Sequence, residues 1–260
     1  MKIMRFVYQD EAEYGVVTKD SLRKIEGWPP EPYSISKELI PIIEVKILPP
    51  LMPSKIVAIG LNYAKHVTEV KLDRNAPSAP LFFLKPPTSI IGPEEGIIYP
   101  ENSKELHYEG ELAVIIKKRT RKIRLDEAPD YILGYTCLND VTARDWQRSD
   151  GQWTRGKSFD TFCPIGPVIA LDIKNPNALK IETRLNGQVR QSASTADLLF
   201  KVEDLVSYIS HYMTLLPGDI IATGTPEGVG PMKVGDTVEV EIEEIGVLRN
   251  HVIEEREKEC

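Results

Sequence analysis

His107-Tyr108-Glu109-Gly110-Glu111-Leu112-Ala113-Val114-Ile115-Ile116 alternates with a period of two. As a strand it puts Glu109 and Glu111 on one face and Leu112, Val114 and Ile116 on the other, so both carboxylates point into the same space. Downstream, Asn139-Asp140-Val141-Thr142-Ala143-Arg144-Asp145-Trp146-Gln147 follows an apolar run and reads as a capped helix start. Asp140, Arg144 and Gln147 would then lie at i, i+4 and i+7 on one helix face. Where strand and helix converge, three carboxylates form a pocket rimmed by donors. Such a set suits a divalent metal, and the donors suit an anionic substrate.

Each element also has a plainer reading. Glu239, Glu241 and Glu243 alternate with Val240 and Ile242 in the same manner, with no chemistry nearby, and read as the wet face of an antiparallel strand. Taken alone, Asp140 reads as a helix cap paired with Arg144. His107 shares the face of the two glutamates, so a His-Glu-Glu transition-metal set competes with Glu-Glu-Asp.

Composition narrows the class. With 27% charged residues and a net charge of −7 over 260 residues, nucleic acid or an anionic membrane would be bound against overall repulsion. Cys137, Cys163 and Cys260 form no C-x-x-C pair and leave an odd one out, which argues against a disulfide framework or a structural zinc site. The first residues break into charge too early for a signal peptide, and no apolar run of about 18 residues exists. A cytoplasmic protein is expected.

Residues 1 to about 50 hold short β-type runs and a proline-rich passage, Trp28-Pro29-Pro30-Glu31-Pro32, and read as a small N-terminal β domain. Leu48-Pro49-Pro50-Leu51-Met52-Pro53 continues neither a helix nor a central strand and marks the boundary, leaving 51–260 as the main domain. Lys55 to Gly60 reads as a buried strand, followed by a helix with His66 and Glu69 one turn apart. They are either a solvated pair or a dyad. The polar loop Asp73 to Pro80 precedes the strand Leu81 to Lys85, an arrangement that suits a lid.

Beyond Gly96 short strands dominate: Leu112 to Lys117, Tyr131 to Leu138, Pro167 to Leu171, Leu179 to Leu185, Asp219 to Thr223 and Thr237 to Ile245. Only the stretch opening at Asp140 and Ser194 to Leu215 read as helix. Strands that do not alternate with helices argue for a β-rich α+β fold, antiparallel or mixed, rather than a doubly wound sheet. Lys157, in Arg155-Gly156-Lys157-Ser158, is either a catalytic cation or a surface charge. Thr223-Gly224-Thr225-Pro226-Glu227-Gly228 is a turn or a set of donors for a carboxylate, and it lacks the endings of a phosphate or dinucleotide loop.

Six short motifs in this order resemble the fumarylacetoacetate hydrolase family from about Lys55 to Val247: Gly60-Leu61-Asn62-Tyr63 with His66, Phe83-Leu84-Lys85-Pro86, Tyr108-Glu109-Gly110-Glu111-Leu112, Asn139 to Asp145, Arg155 to Asp160, and Thr223 to Pro226 with Gly228-Val229-Gly230. The resemblance implies a mixed β-sandwich roll with a few helices, usually as a homodimer. It also implies that Glu109, Glu111 and Asp140 hold Mg²⁺ or Mn²⁺, that His66 and Glu69 form a dyad on a lid helix, and that Lys157 sits beside the reacting carbonyl. Arg144, Gln147, Lys85 and Thr225 are the candidate substrate contacts. The short N-terminal part places the chain with the short-chain branch, which includes acylpyruvate hydrolases and dienoate isomerases.

The chemistry fits that class. Three carboxylate ligands on a hard octahedral cation leave positions for the carboxylate and 2-oxo oxygens of a 2-oxo acid. The expected reaction is hydrolysis of a carbon–carbon bond in a small 2,4-dioxo acid through a metal-bound enolate, with His66 as the base that activates water. Without that water the same centre would serve isomerisation of dienoates or decarboxylation of oxaloacetate. The non-catalytic alternative is a metal-stabilised binding or assembly protein, which leaves the His66-x-x-Glu69 spacing without a purpose.

Overall fold

The computed structural model describes residues 1–27, 33–69 and 77–255. The proline-rich passage Trp28 to Pro32, the first half of the expected lid and Cys260 lie outside these.

The elements that carry the site run in chain order as follows. The N-terminal strands are β1 (Lys2–Tyr8), β2 (Glu11–Thr18) and β3 (Ser21–Glu26). Next come β4 (Ile56–Gly60), α1 (Ala64–Glu69), β5 (Leu81–Lys85), β6 (Leu106–Tyr108), β7 (Gly110–Ile116), β8 (Ile132–Asn139) and β9 (Thr142–Ala143). Helices α2 (Arg144–Ser149) and α3 (Thr154–Lys157) lead to β10 (Cys163–Ala170), β11 (Lys180–Leu185) and β12 (Gln188–Ser194). The chain ends with α4 (Val202–Tyr212), β13 (Ile220–Ala222), β14 (Gly230–Met232), β15 (Thr237–Ile242) and β16 (Gly246–Glu254).

The main sheet runs in the order β3-β2-β1-β10-β8-β7-β13-β4-β5, and a second runs β16-β15-β11-β12. A third, small sheet joins β9, β6 and β14. Antiparallel pairs dominate, with β13 and β4 parallel, so the β-rich α+β expectation holds. Strand β1 pairs with β10, so the N-terminal strands continue the main sheet.

Strand β7 sits in the middle and is buried along its whole length. Leu112, Val114 and Ile116 face a core shared with α4 and the second sheet, through Val202, Leu205, Val206, Ile209, Ile181, Val240 and Ile242. Ala113 and Ile115 face a separate apolar cluster with Ile56, Ala58, Leu138, Cys163, Ile165 and Ala222. Each Val, Leu or Ile among them contributes about 1.5–3 kcal/mol on full burial. The alternation of β15 is as expected: Val238, Val240 and Ile242 are buried and the intervening glutamates are not.

Two expected helices change. The helix read from Ser194 to Leu215 begins only at Val202, because the amides of Leu199 and Phe200 donate to the backbone and side-chain oxygens of Asn62. A helix continued back from Val202 would need those donors inward. The helix read from Asp140 starts at Arg144, with Ala143 before it and no side-chain cap. Residues 142–143 instead form β9, paired with β6. Asp140 is therefore no helix cap, and it does not stand one turn from Arg144.

Candidate active site

The three carboxylates meet because of strand register. Strands β7 and β8 are antiparallel with Gly110 opposite Asn139, so the start of one lies beside the end of the other. The Asp140 amide donates to the Glu109 carbonyl at 2.8 Å, and the Glu109 amide donates to Asn139 Oδ1 at 2.9 Å. Oxygens of Glu109, Glu111 and Asp140 lie within 4.8 Å of one another, all three residues buried. Among the described residues no other group of acidic, His or Cys side chains converges in this way. His107 is outside it: its Nε2 pairs with Glu105 Oε1 at 2.8 Å, which removes the His-Glu-Glu alternative.

Three buried cations surround the carboxylates. Lys157, 2% exposed, donates to Glu109 Oε2 at 2.7 Å and to Asp140 Oδ2 at 2.6 Å. Arg144 pairs with Glu109 through one nitrogen and donates to Gln147 Oε1 through another. Its partner is thus Glu109 and not Asp140. Lys85, the last residue of β5, places Nζ 2.7 Å from Asp140 Oδ1 and also donates to the Lys157 carbonyl. The approach to Oδ1 is not along a hydrogen-bond direction, so that oxygen keeps a free lone pair.

The charges set the protonation. Burial pushes the Glu109 carboxyl up, but Lys157, Arg144 and, less strongly, His66 outweigh it and hold it well below the usual carboxylate range. Burial pushes Glu111 well above that range, reinforced by the charges of Asp140 and Glu109. Burial would lower Lys157, and Asp140 and Glu109 reverse this and raise it. Burial, and after it nearby Arg144, lowers the His107 imidazole below its ordinary value.

The residues fit a divalent cation. The donor set is three hard carboxylate oxygens, one of them on Asp140 without a directed hydrogen bond, and Glu111 is held back from ionising by burial and, after that, by its like-charged neighbours. A cation would relieve that repulsion.

His66 and Glu69, one helical turn apart, are in contact. His66 Nδ1 lies 3.0 Å from Glu69 Oε2, with His66 buried on α1. Glu69 Oε1 accepts from the Gly228 amide at 2.9 Å, and the Gly228 carbonyl accepts from Tyr108. The loop after β13 therefore binds protein carboxylates. The Gly224 amide donates to Glu111 Oε2 at 2.7 Å from a left-handed backbone (φ 97°), where an added Cβ would press on Asn62. The Thr225 hydroxyl donates to the Gly110 carbonyl and accepts from Gln191, so its proton is engaged by the scaffold.

Two supporting residues carried no signal for their roles. Asn62, fully buried, donates to the carbonyls of Thr223 and Phe200 and ties the β4–α1 corner to the loop that holds Glu111. Gln191 on β12 accepts from the Gly110 amide and donates to Thr225 and to the Pro226 carbonyl, bracing the backbone between the two glutamates.

Comparison with known proteins agrees with this geometry. Residues 55–253 match the family model described as fumarylacetoacetate (FAA) hydrolase C-terminal, and residues 1–50 match one described as Rv2993c-like, N-terminal. The mitochondrial oxaloacetate tautomerase Fahd2a of Rattus norvegicus is 45% identical over 83% of this chain and 72% of its own. The structure of a 5-carboxymethyl-2-hydroxymuconate delta-isomerase from Mycobacterium smegmatis is 42% identical with a TM-score of 0.91, covering 98% of this chain and 100% of that one. A maleylpyruvate hydrolase from Sphingobium, solved with manganese(II) and pyruvate, is 31% identical with a TM-score of 0.81 over the same shares. With its three-carboxylate cluster, its sheet order and a family model spanning most of its length, this chain belongs to the fumarylacetoacetate hydrolase family.

Proposed function

We propose that the protein binds small 2-oxo carboxylic acids at this cluster and moves a proton between the 2-oxo form and its enol, as a tautomerase or double-bond isomerase. The observation that carries the reading is a three-carboxylate cluster bridged by the buried Lys157 ammonium, with the His66–Glu69 pair tied to the same loop as the cluster, Glu111 through the Gly224 amide and Glu69 through the Gly228 amide. Glu109, Glu111 and Asp140 would hold Mg²⁺ or Mn²⁺, which supplies Lewis-acid polarisation of a carbonyl oxygen.

The side chains provide the rest. Glu69 Oε2 accepts from Nδ1–H of His66, which fixes the tautomer and leaves Nε2 as the basic nitrogen. Nε2 takes a proton from the carbon next to the 2-oxo group, and Glu69 stabilises the imidazolium that forms. Returning that proton to a different atom completes a tautomerisation or moves a double bond. Two of the three Lys157 N–H groups are used by Glu109 and Asp140, and the third is left for the oxygen on which negative charge develops. Arg144 uses two of its donors on Glu109 and Gln147 and keeps others for a substrate carboxylate.

Hydrolysis of an acylpyruvate, the reaction expected first from the sequence, is the second reading. The same His66 nitrogen can deprotonate a water, and a hydrolase is among the similar structures. Support for placing proton transfer first comes from the tautomerase and isomerase relatives, both above 40% identity.

The test is a substrate panel at saturating Mg²⁺ and after chelation: enol oxaloacetate, a 2-hydroxymuconate-type dienoate and acetylpyruvate. Loss of enol or dienol absorbance without carbon–carbon cleavage is expected. Faster release of pyruvate and acetate from acetylpyruvate than any tautomerisation would establish the second reading, and no turnover of any of the three would return the cluster to a binding role.

A further inference from the structure

We infer that Lys85 is a charge-setting residue that makes the site select dianions while holding its affinity for the divalent cation down. This inference rests on the reading of the cluster as a site for a divalent cation and a 2-oxo acid. Lys85 is 1% exposed, one of the largest fully buried side chains of the protein. Its ammonium faces only protein: Asp140 Oδ1 at 2.7 Å, the Lys157 carbonyl, and the Val141 carbonyl at 3.5 Å. Two of its N–H groups are directed at the backbone carbonyls, and the ammonium meets Asp140 Oδ1 as a contact of charge outside hydrogen-bond geometry. Held on these protein oxygens, Lys85 acts on ligands through its field and through Asp140.

The charge count gives the consequence. Fully ionised, Glu109, Glu111 and Asp140 carry −3, and Lys85, Lys157 and Arg144 carry +3, all of them buried. A bound divalent cation leaves the pocket at +2, the complement of a ligand with two negative charges. Without Lys85 the loaded pocket is at +1, the complement of one. Lys85 also lies against an Asp140 oxygen that the cation would use, so the two positive charges oppose each other there. One unit charge roughly 8 Å away at an effective dielectric near 20 changes an affinity about thirtyfold.

Lys85→Gln and Lys85→Met both remove the charge, but only Gln keeps an amide donor for the Lys157 and Val141 carbonyls. Mn²⁺ binding is measured first by calorimetry. Oxalate and its monoanionic isostere oxamate are then titrated into Mn²⁺-saturated protein, with thermal melting as the check on folding. Both variants should bind Mn²⁺ at least about tenfold more tightly, bind oxalate about a hundredfold and oxamate about tenfold more weakly, and so lose about tenfold in the preference for oxalate over oxamate. A merely structural clasp cannot tighten one ligand while loosening another. Weaker Mn²⁺ binding in Lys85→Met with wild-type behaviour in Lys85→Gln, or an unchanged oxalate-to-oxamate ratio in both, overturns the inference and leaves the site reading intact. Wild-type protein that binds neither Mn²⁺ nor oxalate overturns the site reading, and this inference with it.

Discussion

Replacing Lys157 by methionine should destabilise the cation-free protein and spare the cation-loaded one. Lys157 is buried and bridges Glu109 and Asp140 at 2.7 and 2.6 Å. Removing one partner of a buried ion pair costs about 3–5 kcal/mol, because the other charge is left without compensation. Here each carboxylate keeps a second cation, Arg144 for Glu109 and Lys85 for Asp140, so the low end of that range applies. At about 2–4 °C per kcal/mol for a chain of this size, the cation-free Tm should fall by roughly 6–12 °C. The variant cluster is one unit more negative, so it gains more from a divalent cation than the wild type does, and saturating Mg²⁺ should close at least half of the gap. Differential scanning calorimetry in EDTA and in excess Mg²⁺ reads both values. An equal Tm gap in the two conditions would refute the idea that Lys157 and the cation stabilise the same carboxylates.

Other outcomes follow from the same geometry. Glu109→Ala, Glu111→Ala and Asp140→Ala should each abolish calorimetric Mg²⁺ binding, since two carboxylates make too weak a site for so strongly hydrated an ion, while His107→Ala should bind as the wild type does. His66→Ala should lose tautomerase activity by roughly 10²- to 10⁴-fold and decarboxylate oxaloacetate with a smaller loss, because decarboxylation takes no proton from the substrate; equal loss in both would make the dyad a positioning element. Burial pushes the Cys163 thiol up to about 12 and raises Cys137 as well, so the reactive thiolate forms only far above neutral pH. In a Cys260→Ser variant neither thiol should react with a disulfide reagent at pH 8 until the chain is unfolded, and rapid labelling of the native protein would contradict this.

The sequence showed the parts of the site whose geometry is local. Glu109 and Glu111 share a face because strands alternate, and His66 meets Glu69 because a helical turn spans three residues. Asp140 was placed in the cluster for the wrong structural reason. An Asn-Asp pair ahead of a helix looks like a cap, but the Asp140 amide is taken by Glu109 and residues 142–143 pair with β6 before the helix begins. Cap propensity is a local preference, and a ladder to a distant strand overrides it. The early end of the expected long helix has the same origin, since the donors at 199 and 200 belong to Asn62, far away in sequence. Gln191 was out of reach altogether. Strand β12 is mostly polar and shows no apolar alternation, so nothing in its residues announced a strand, still less one that braces Gly110. The loop from Thr223 to Gly230 was recognised by its residue types, but which carboxylates its amides serve depends on β13 lying between β7 and β4.

The central claim, that a cation-binding carboxylate cluster and the His66–Glu69 pair together move a proton next to a 2-oxo group, is tested most directly by hydrogen exchange in D₂O. Oxaloacetate is incubated with the protein and Mg²⁺, and the loss of the C3 proton signal is followed by NMR against the buffer rate. Wild-type protein should speed the exchange, chelation should remove the effect, and His66→Ala should reduce it by at least about a hundredfold. Exchange at the buffer rate with wild-type protein shown by calorimetry to hold Mg²⁺, or undiminished exchange in His66→Ala, would contradict the account.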